Sequence, residues 1–284
     1  MGTQNPSLTS TSNNPATPGQ IRDIRNQTEA ALENGKFLHA ELLAVHKSGI
    51  YPEEYQQFMR QLAARLMTPA FDLAGALTLL GQANLVTHEQ NSTTFGQPSP
   101  KGQIVACPNM AQIQECAAQN KAGKHNWFLT YASDLSLVDQ HAILGTSQHP
   151  RFYPGVDWFL KPEQKAWAPS KPVAGFYLID MIPRWNRTNW QQQGENITGL
   201  GVDYERADER VFSQAVLAYQ KVMGKRLFDN VWHWGRILDS DGYRVCVGLV
   251  PVGLGVGYGP PSSGDSDDLF VCVARKSAHR ALVA

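Results

Sequence analysis

Between about Glu205 and Phe228 the apolar residues Val211, Phe212, Ala215, Val216, Tyr219, Val222 and Met223 fall on one broad stripe at helical spacing. A stripe that wide has to be covered, so the segment needs a sheet or other helices to lie on. Its first turns carry Glu205, Asp208 and Glu209 and its last ones Lys221, Lys225 and Arg226, the polarity that complements the helix dipole.

Partners for this helix stand on both sides of it in sequence. PVAGFYLIDM has the length and apolar content of a central strand, ending at Pro183. VWHWGRIL, YRVCVGLV, VGLGVGYG and DLFVCVARK follow the helix as three or four further strands, with turns at SDG and PPSSGDSDD. The economical architecture is a small antiparallel sheet packed by the helix, with a compact core over residues 173–276.

The first half of the chain has a different rhythm. Residues 1–18 are a polar Ser/Thr/Asn/Pro tail, expected to be disordered. Residues 19–90 carry helical periods, giving a helical arm or hairpin with the option of paired-helix, coiled-coil-like association. Phe71, Leu73, Ala74, Leu77 and Leu80 are its last packing residues and Gly81 its stop. NSTTFGQPSPKG, residues 91–102, is expected to be a linker. Beyond it come a strand in GQIVACP, a polar helix in NMAQIQECAAQNKAGKH and a strand in NWFLTYA, with Trp127, Leu129 and Tyr131 on one face. An irregular but packed connector then spans residues 145–172. The whole is an α+β chain: a helical N-terminal region followed by a mixed, largely antiparallel sheet packed by a long amphipathic helix, in an α+β domain over residues 103–284.

Charge excludes some functions. The 284 residues hold 25 basic and 25 acidic side chains, so no global field draws the chain to phosphate backbones or anionic lipid. The most apolar run, VCVGLVPVGLGVGYG, is too short and too broken for the roughly 20 residues of a membrane-spanning helix, and no membrane insertion is expected. The first residues form no classical signal peptide, which favours a soluble, cytoplasmic setting. Cys107, Cys116, Cys246 and Cys272 lack metal-ligand spacing and are expected to be buried free thiols.

Several clusters can carry chemistry. Glu205, Asp208 and Glu209 would share one helix face, and with Asp180 at a strand end and His233 opposite they could divide acid and base roles; the plainer expectation is a solvated, salt-linked face. Trp185, Arg187 and Trp190, beside Trp232, Trp234 and Arg236, can line an aromatic groove for a sugar or an unstacked base. Ser136, Asp139 and His141 have triad side chains without a nucleophile-turn motif. The alternating glycines at 253, 255, 257 and 259 would leave one strand face bare, able to receive a neighbouring chain. No cofactor or metal motif occurs.

The sequence therefore points to a non-catalytic interaction or structural assembly protein, binding a protein partner or itself through residues 19–80 and recognising a ligand through the aromatic residues. The alternatives are a hydrolase acting on a carbohydrate or phosphate ester through Asp180, Glu205, Asp208 and His233, and a single-stranded nucleic-acid-binding protein.

Overall fold

A computed structural model describes residues 71–98, 104–155, 157–228, 230–264, 266–277 and 279–282. The chain divides into two compact units, residues 1–67 and 68–284, and the account below concerns the second. Most of the helical arm expected over residues 19–90 thus lies outside the described residues, as does the polar tail.

The second unit is α+β. In chain order its elements are α1 (Leu73–Leu80), β1 (Leu85–Val86), α2 (His88–Phe95), β2 (Ile104–Cys107), α3 (Met110–Lys121), β3 (Trp127–Ala132), α4 (Leu137–Leu144) and β4 (Gly175–Arg184). There follow α5 (Trp190–Leu200), β5 (Tyr204–Arg206), α6 (Glu209–Met223), β6 (Val231–Leu238), β7 (Arg244–Val250), β8 (Gly253–Gly259), β9 (Leu269–Arg275) and β10 (His279–Leu282). One mixed sheet joins all the strands in the order β1-β3-β4-β9-β6-β7-β8, with β2 against β4, β10 against β2 and β5 against β9. The pairings β1/β3, β2/β4 and β6/β9 are parallel and the rest antiparallel.

Both faces of this sheet are buried. Phe128, Ile179, Val245, Val247, Val256 and Ala274 meet the α6 stripe of Val211, Phe212, Ala215 and Val216 on one side. Trp127, Leu129, Tyr131, Leu178, Val271 and Val273 meet Ala76, Ile113 and Cys116 on the other. The core is therefore wider than residues 173–276: β3 contributes to both faces, and Phe95 and Leu137 enter from α2 and α4.

Several boundaries differ from the sequence expectation. The long helix begins at Glu209, because the Asp208 side chain caps it by accepting from the Arg210 N–H, and it ends at Gly224, whose φ of 65° is left-handed. Tyr204–Arg206 is instead a strand against β9, so Glu205 is not on the helix. Strand β4 runs through Pro183 to Arg184, with a register shift between Asp180 and Arg184 that accommodates the proline. The expected linker starts as helix: Asn91 is fully buried in α2 and bonds to the Tyr131 carbonyl. Ser136 and Asp139 form a capping box at the start of α4, while the His141 ring packs against Phe152 and Phe159. All four cysteines are buried and free.

The glycine-bared face of β7 and β8 is filled from within the chain. Register places Trp232, Gly248 and Gly255 in one row across three strands, and the Trp232 indole lies over both glycines. A β-carbon on Gly248 would fall 2.7 Å from the ring, and one on Gly255 closer still. At Gly259 a β-carbon would meet Trp234 only at an ordinary 3.8 Å. Gly255→Ala should therefore destabilise the protein by about 1–3 kcal/mol in urea unfolding, and Gly259→Ala by much less; equal effects would show that the indole is not the reason for the glycine.

Candidate functional site

The most constrained point in the unit is a bulge in β6, where the register with β7 shifts between Trp234 and Leu238. A bulge frees backbone groups from the ladder, and buried ones need other partners. Here side chains supply five of them. The Glu209 carboxylate, fully buried at the start of α6, accepts from the N–H groups of Arg236 at 2.9 Å and Ile237 at 2.8 Å. The carbonyls of Trp234, Gly235 and Arg236 accept from Arg206 Nη1 at 3.2 Å, Trp190 Nε1 at 3.0 Å and Arg244 Nη1 at 2.7 Å. Gly235 is required, since a β-carbon there would stand 2.8 Å from Glu209 Oε1 and nearer to the rest of the carboxyl group.

The Trp190 ring contacts two guanidiniums, Arg206 at 4.5 Å and Arg244 at 3.7 Å from its centroid. Arg206 is almost wholly buried and also donates to Gln193 Oε1 and the Trp190 carbonyl, both at 2.8 Å. Burial, joined by the charge of Arg244, pushes its guanidinium down to about 9. Burial, joined by the charge of Asp208, pushes the Glu209 carboxyl up to about 7. For Asp208 burial works in the same direction, but the Arg210 guanidinium, bonded to both of its oxygens, outweighs it and leaves the group below the usual carboxylate range.

The bulge aims the Arg236 side chain outward, where it is 49% exposed and meets Glu205 Oε2 through Nη1 at 3.2 Å. This ion pair stands where two clefts meet. The larger, about 450 Å³, has an apolar floor of Ile179, Val211, Ile237 and Ala274 and charged walls of Lys171, Glu205, Asp208, Arg210 and Arg236. Tyr177 also lines it; burial raises its phenol to about 12, and the hydroxyl donates to the Val173 carbonyl. The smaller, about 350 Å³, lies between α5 and β5 and is lined by Trp190, Ile197, Tyr204, Arg206, Arg236 and Lys276.

The candidate catalytic residues do not share one cavity. Asp180 lies opposite Val273 and Arg206 in one row of the sheet, and Ile179, Ala274 and Glu205 form the next row. Successive rows face opposite sides, so Asp180 points away from the larger cleft, which Ile179, Ala274 and Glu205 line. There, fully buried, it accepts from His125 Nδ1 at 2.7 Å, from Arg184 Nε and Nη2 at 3.0 and 2.7 Å, and from the N–H groups of Asn126 and Ile182. His233 is fully buried too, with Nε2 against the Ala207 carbonyl at 2.9 Å and Nδ1 accepting from the Cys272 N–H at 3.0 Å. Burial pushes its imidazole down to about 3, against the opposing pull of that carbonyl. Glu205 and Asp208 do line the larger cleft. The solvated acidic face is also corrected, because Glu209 is the least exposed of the trio.

Of the aromatic set, Trp190 and Arg236 come together in the smaller cleft. Trp185 packs against the core on the α1 and α3 side of the sheet, Trp232 covers the glycines and Trp234 is fully buried, so these rings do not form one groove. Arg187 is exposed and paired with Asp267. Lys171, Tyr177, Arg206 and Arg244 escaped the sequence analysis; Gly235, a lone glycine inside a strand pattern, was the local sign of the bulge that Arg206 and Arg244 serve. Among the described residues, no group of three or more His, Cys, Asp or Glu side chains is placed to hold a metal ion, and no helix is long and apolar enough to cross a membrane. Comparison with protein-family models, with curated proteins and with solved structures finds no match to this chain.

The two buried titratable groups pull stability in opposite directions with pH. The folded pKa of His233 is depressed, so its contribution is complete above 6.5 and is lost as pH falls toward about 3. That of Glu209 is raised, so its contribution is complete below 4.5 and is lost as pH rises through about 7. The two slopes oppose between pH 6.5 and 4.5; below 4.5 His233 destabilises unopposed, by about 1.4 kcal/mol per pH unit. Urea unfolding from pH 8 to 3.5 should give His233→Gln a shallower acid limb than the wild type by about that slope, and parallel limbs would contradict the buried neutral imidazole.

Proposed function

We propose that this protein is a non-catalytic recognition protein whose binding site is the pair of clefts meeting at Arg236. The observation that carries this reading is the support beneath that residue. A half-exposed guanidinium stands at the junction of two cavities, on a bulge whose Arg236 and Ile237 N–H groups are held by the buried Glu209 carboxylate and whose Trp234 carbonyl is held by the buried Arg206 guanidinium. Bulges of this kind re-aim side chains beside functional sites, and a pre-set guanidinium loses little freedom when it meets an oxyanion.

The state of the other candidate groups supports recognition over turnover. Asp180 and His233 have their polar atoms engaged inside the fold, and Asp208 is engaged by Arg210, so that of the four candidates only Glu205 keeps a free oxygen where glycoside hydrolysis needs two carboxyl groups. A general acid or base needs a free atom within hydrogen-bond reach of substrate. Continuous binding of single-stranded nucleic acid draws on exposed ring faces, whereas Trp234 is buried and the Trp190 ring already carries two guanidiniums.

The test is a titration of small carboxylic acids, amines, zwitterions and neutral compounds into the full-length ¹⁵N-labelled protein. Charged members should move the amide resonances of Glu205, Arg236, Ile237 and Ala274, and Arg236→Ala should abolish those shifts while leaving the fold intact. Shifts that cluster elsewhere, or that persist in Arg236→Ala, would sink the proposal.

A further inference from the structure

We propose that the larger cleft receives a free α-amino acid with an apolar side chain, its carboxylate on Arg236 and its ammonium on Glu205. The inference rests on the recognition reading above and adds the chemistry of the ligand.

The charged wall of the cleft contains two unlike ion pairs. Arg210 holds Asp208 in a two-pronged clasp, with Nε on Oδ1 at 2.8 Å and Nη2 on Oδ2 at 2.5 Å, and both side chains are at most 16% exposed. That pair is closed. Arg236 and Glu205 meet through one contact of 3.2 Å, longer than the 2.7–2.9 Å or so of a good charge-assisted bond, at 49% and 29% exposure. Among the described residues, Arg236 Nε and Nη2 and Glu205 Oε1 have no other hydrogen bond. The second pair is thus loose, and each partner keeps free capacity at the junction of the clefts.

The sign of the ligand follows. An anion seated on Arg236 alone would lie beside the Glu205 carboxylate, and a cation seated on Glu205 alone would lie beside Arg236. A zwitterion satisfies both and keeps the wall neutral. In an α-amino acid the two charges sit on adjacent carbons, a separation that fits an ion pair already in contact. Lys171 adds a second cation at the rim, where it also meets Asp139 at 3.3 Å.

The rest of the cleft selects the side chain. Ile179, Val211, Ile237 and Ala274 form a floor with no free polar side chain, so a hydrocarbon substituent is favoured there and a polar one would leave its hydrogen bonds unmade. The volume of about 450 Å³ falls within the range of roughly 300–1,000 Å³ typical of small-molecule sites.

The experiment is isothermal titration of the full-length protein with L-leucine, glycine, N-acetyl-L-leucine and L-leucinamide. L-leucine should bind, and glycine, which lacks the side chain, should bind about tenfold more weakly or worse. N-acetyl-L-leucine lacks the ammonium and L-leucinamide the carboxylate, and each should also lose about tenfold or more. Glu205→Gln should weaken L-leucine and narrow its advantage over N-acetyl-L-leucine; Arg236→Gln should do the same relative to L-leucinamide. Equal or tighter binding of N-acetyl-L-leucine to the wild type would overturn the zwitterion, leaving a simple anion site. Silence of all four ligands, while charged fragments still move the Arg236 amide, would overturn the amino acid and leave the recognition reading standing. Silence of the fragments as well would remove both.

Discussion

A carboxylate inside the protein organises this unit. Glu209 stands at the first turn of α6, beneath the bulge of β6, and takes the two N–H groups that the bulge withdraws from the sheet. Without an acceptor there, each buried N–H would cost about 1–3 kcal/mol, enough to favour a different course for the strand. The guanidiniums of Arg206 and Arg244 answer the carbonyls of the same bulge, which places positive charge close to the buried negative one. Strand, helix start and the Trp190 ring are thereby locked to one another, and Arg236 is turned out into the clefts.

The same device recurs across the sheet. Strand β4 slips its register between Asp180 and Arg184, and the Asp180 carboxylate accepts from the Ile182 N–H inside that irregularity while also holding His125 and Arg184. In both places an acidic residue that looks available for chemistry is consumed by backbone. At β7 and β8 the irregularity is of packing: two glycines clear a floor for the Trp232 indole, which rises from the neighbouring strand in the same register row.

Much of the fold was legible because its strands and helices announce themselves by periodicity. The runs that became β3, β4, β6, β7, β8 and β9 are apolar, short and bounded by turn residues, and the α6 stripe is unmistakable. What escaped were decisions made by long-range partners. Glu205 and Arg206 of β5 read as the start of the helix until β9 is there to pair with them and Asp208 is there to cap. Glu209 resembles any acidic residue of a first helical turn, and only the position of β6 makes it buried. Asp180 and Glu205 are candidates for one site until the register with β9 sets them on opposite faces. Gly235 was the local clue, a residue without a side chain in an otherwise bulky strand, but its meaning depends on a carboxylate 26 positions earlier in the chain.

Hydrogen exchange at the amides of Arg236 and Ile237 addresses the central claim, because both leave the strand ladder and depend on Glu209 alone. In the wild type they should exchange as slowly as the ladder amides of β7. In Glu209→Gln, which offers one acceptor oxygen in place of two, at least one of them should lose protection by about tenfold or more, as the loss of a hydrogen bond to a charged group implies. Fast exchange of both in the wild type, or unchanged protection in Glu209→Gln, would contradict the account.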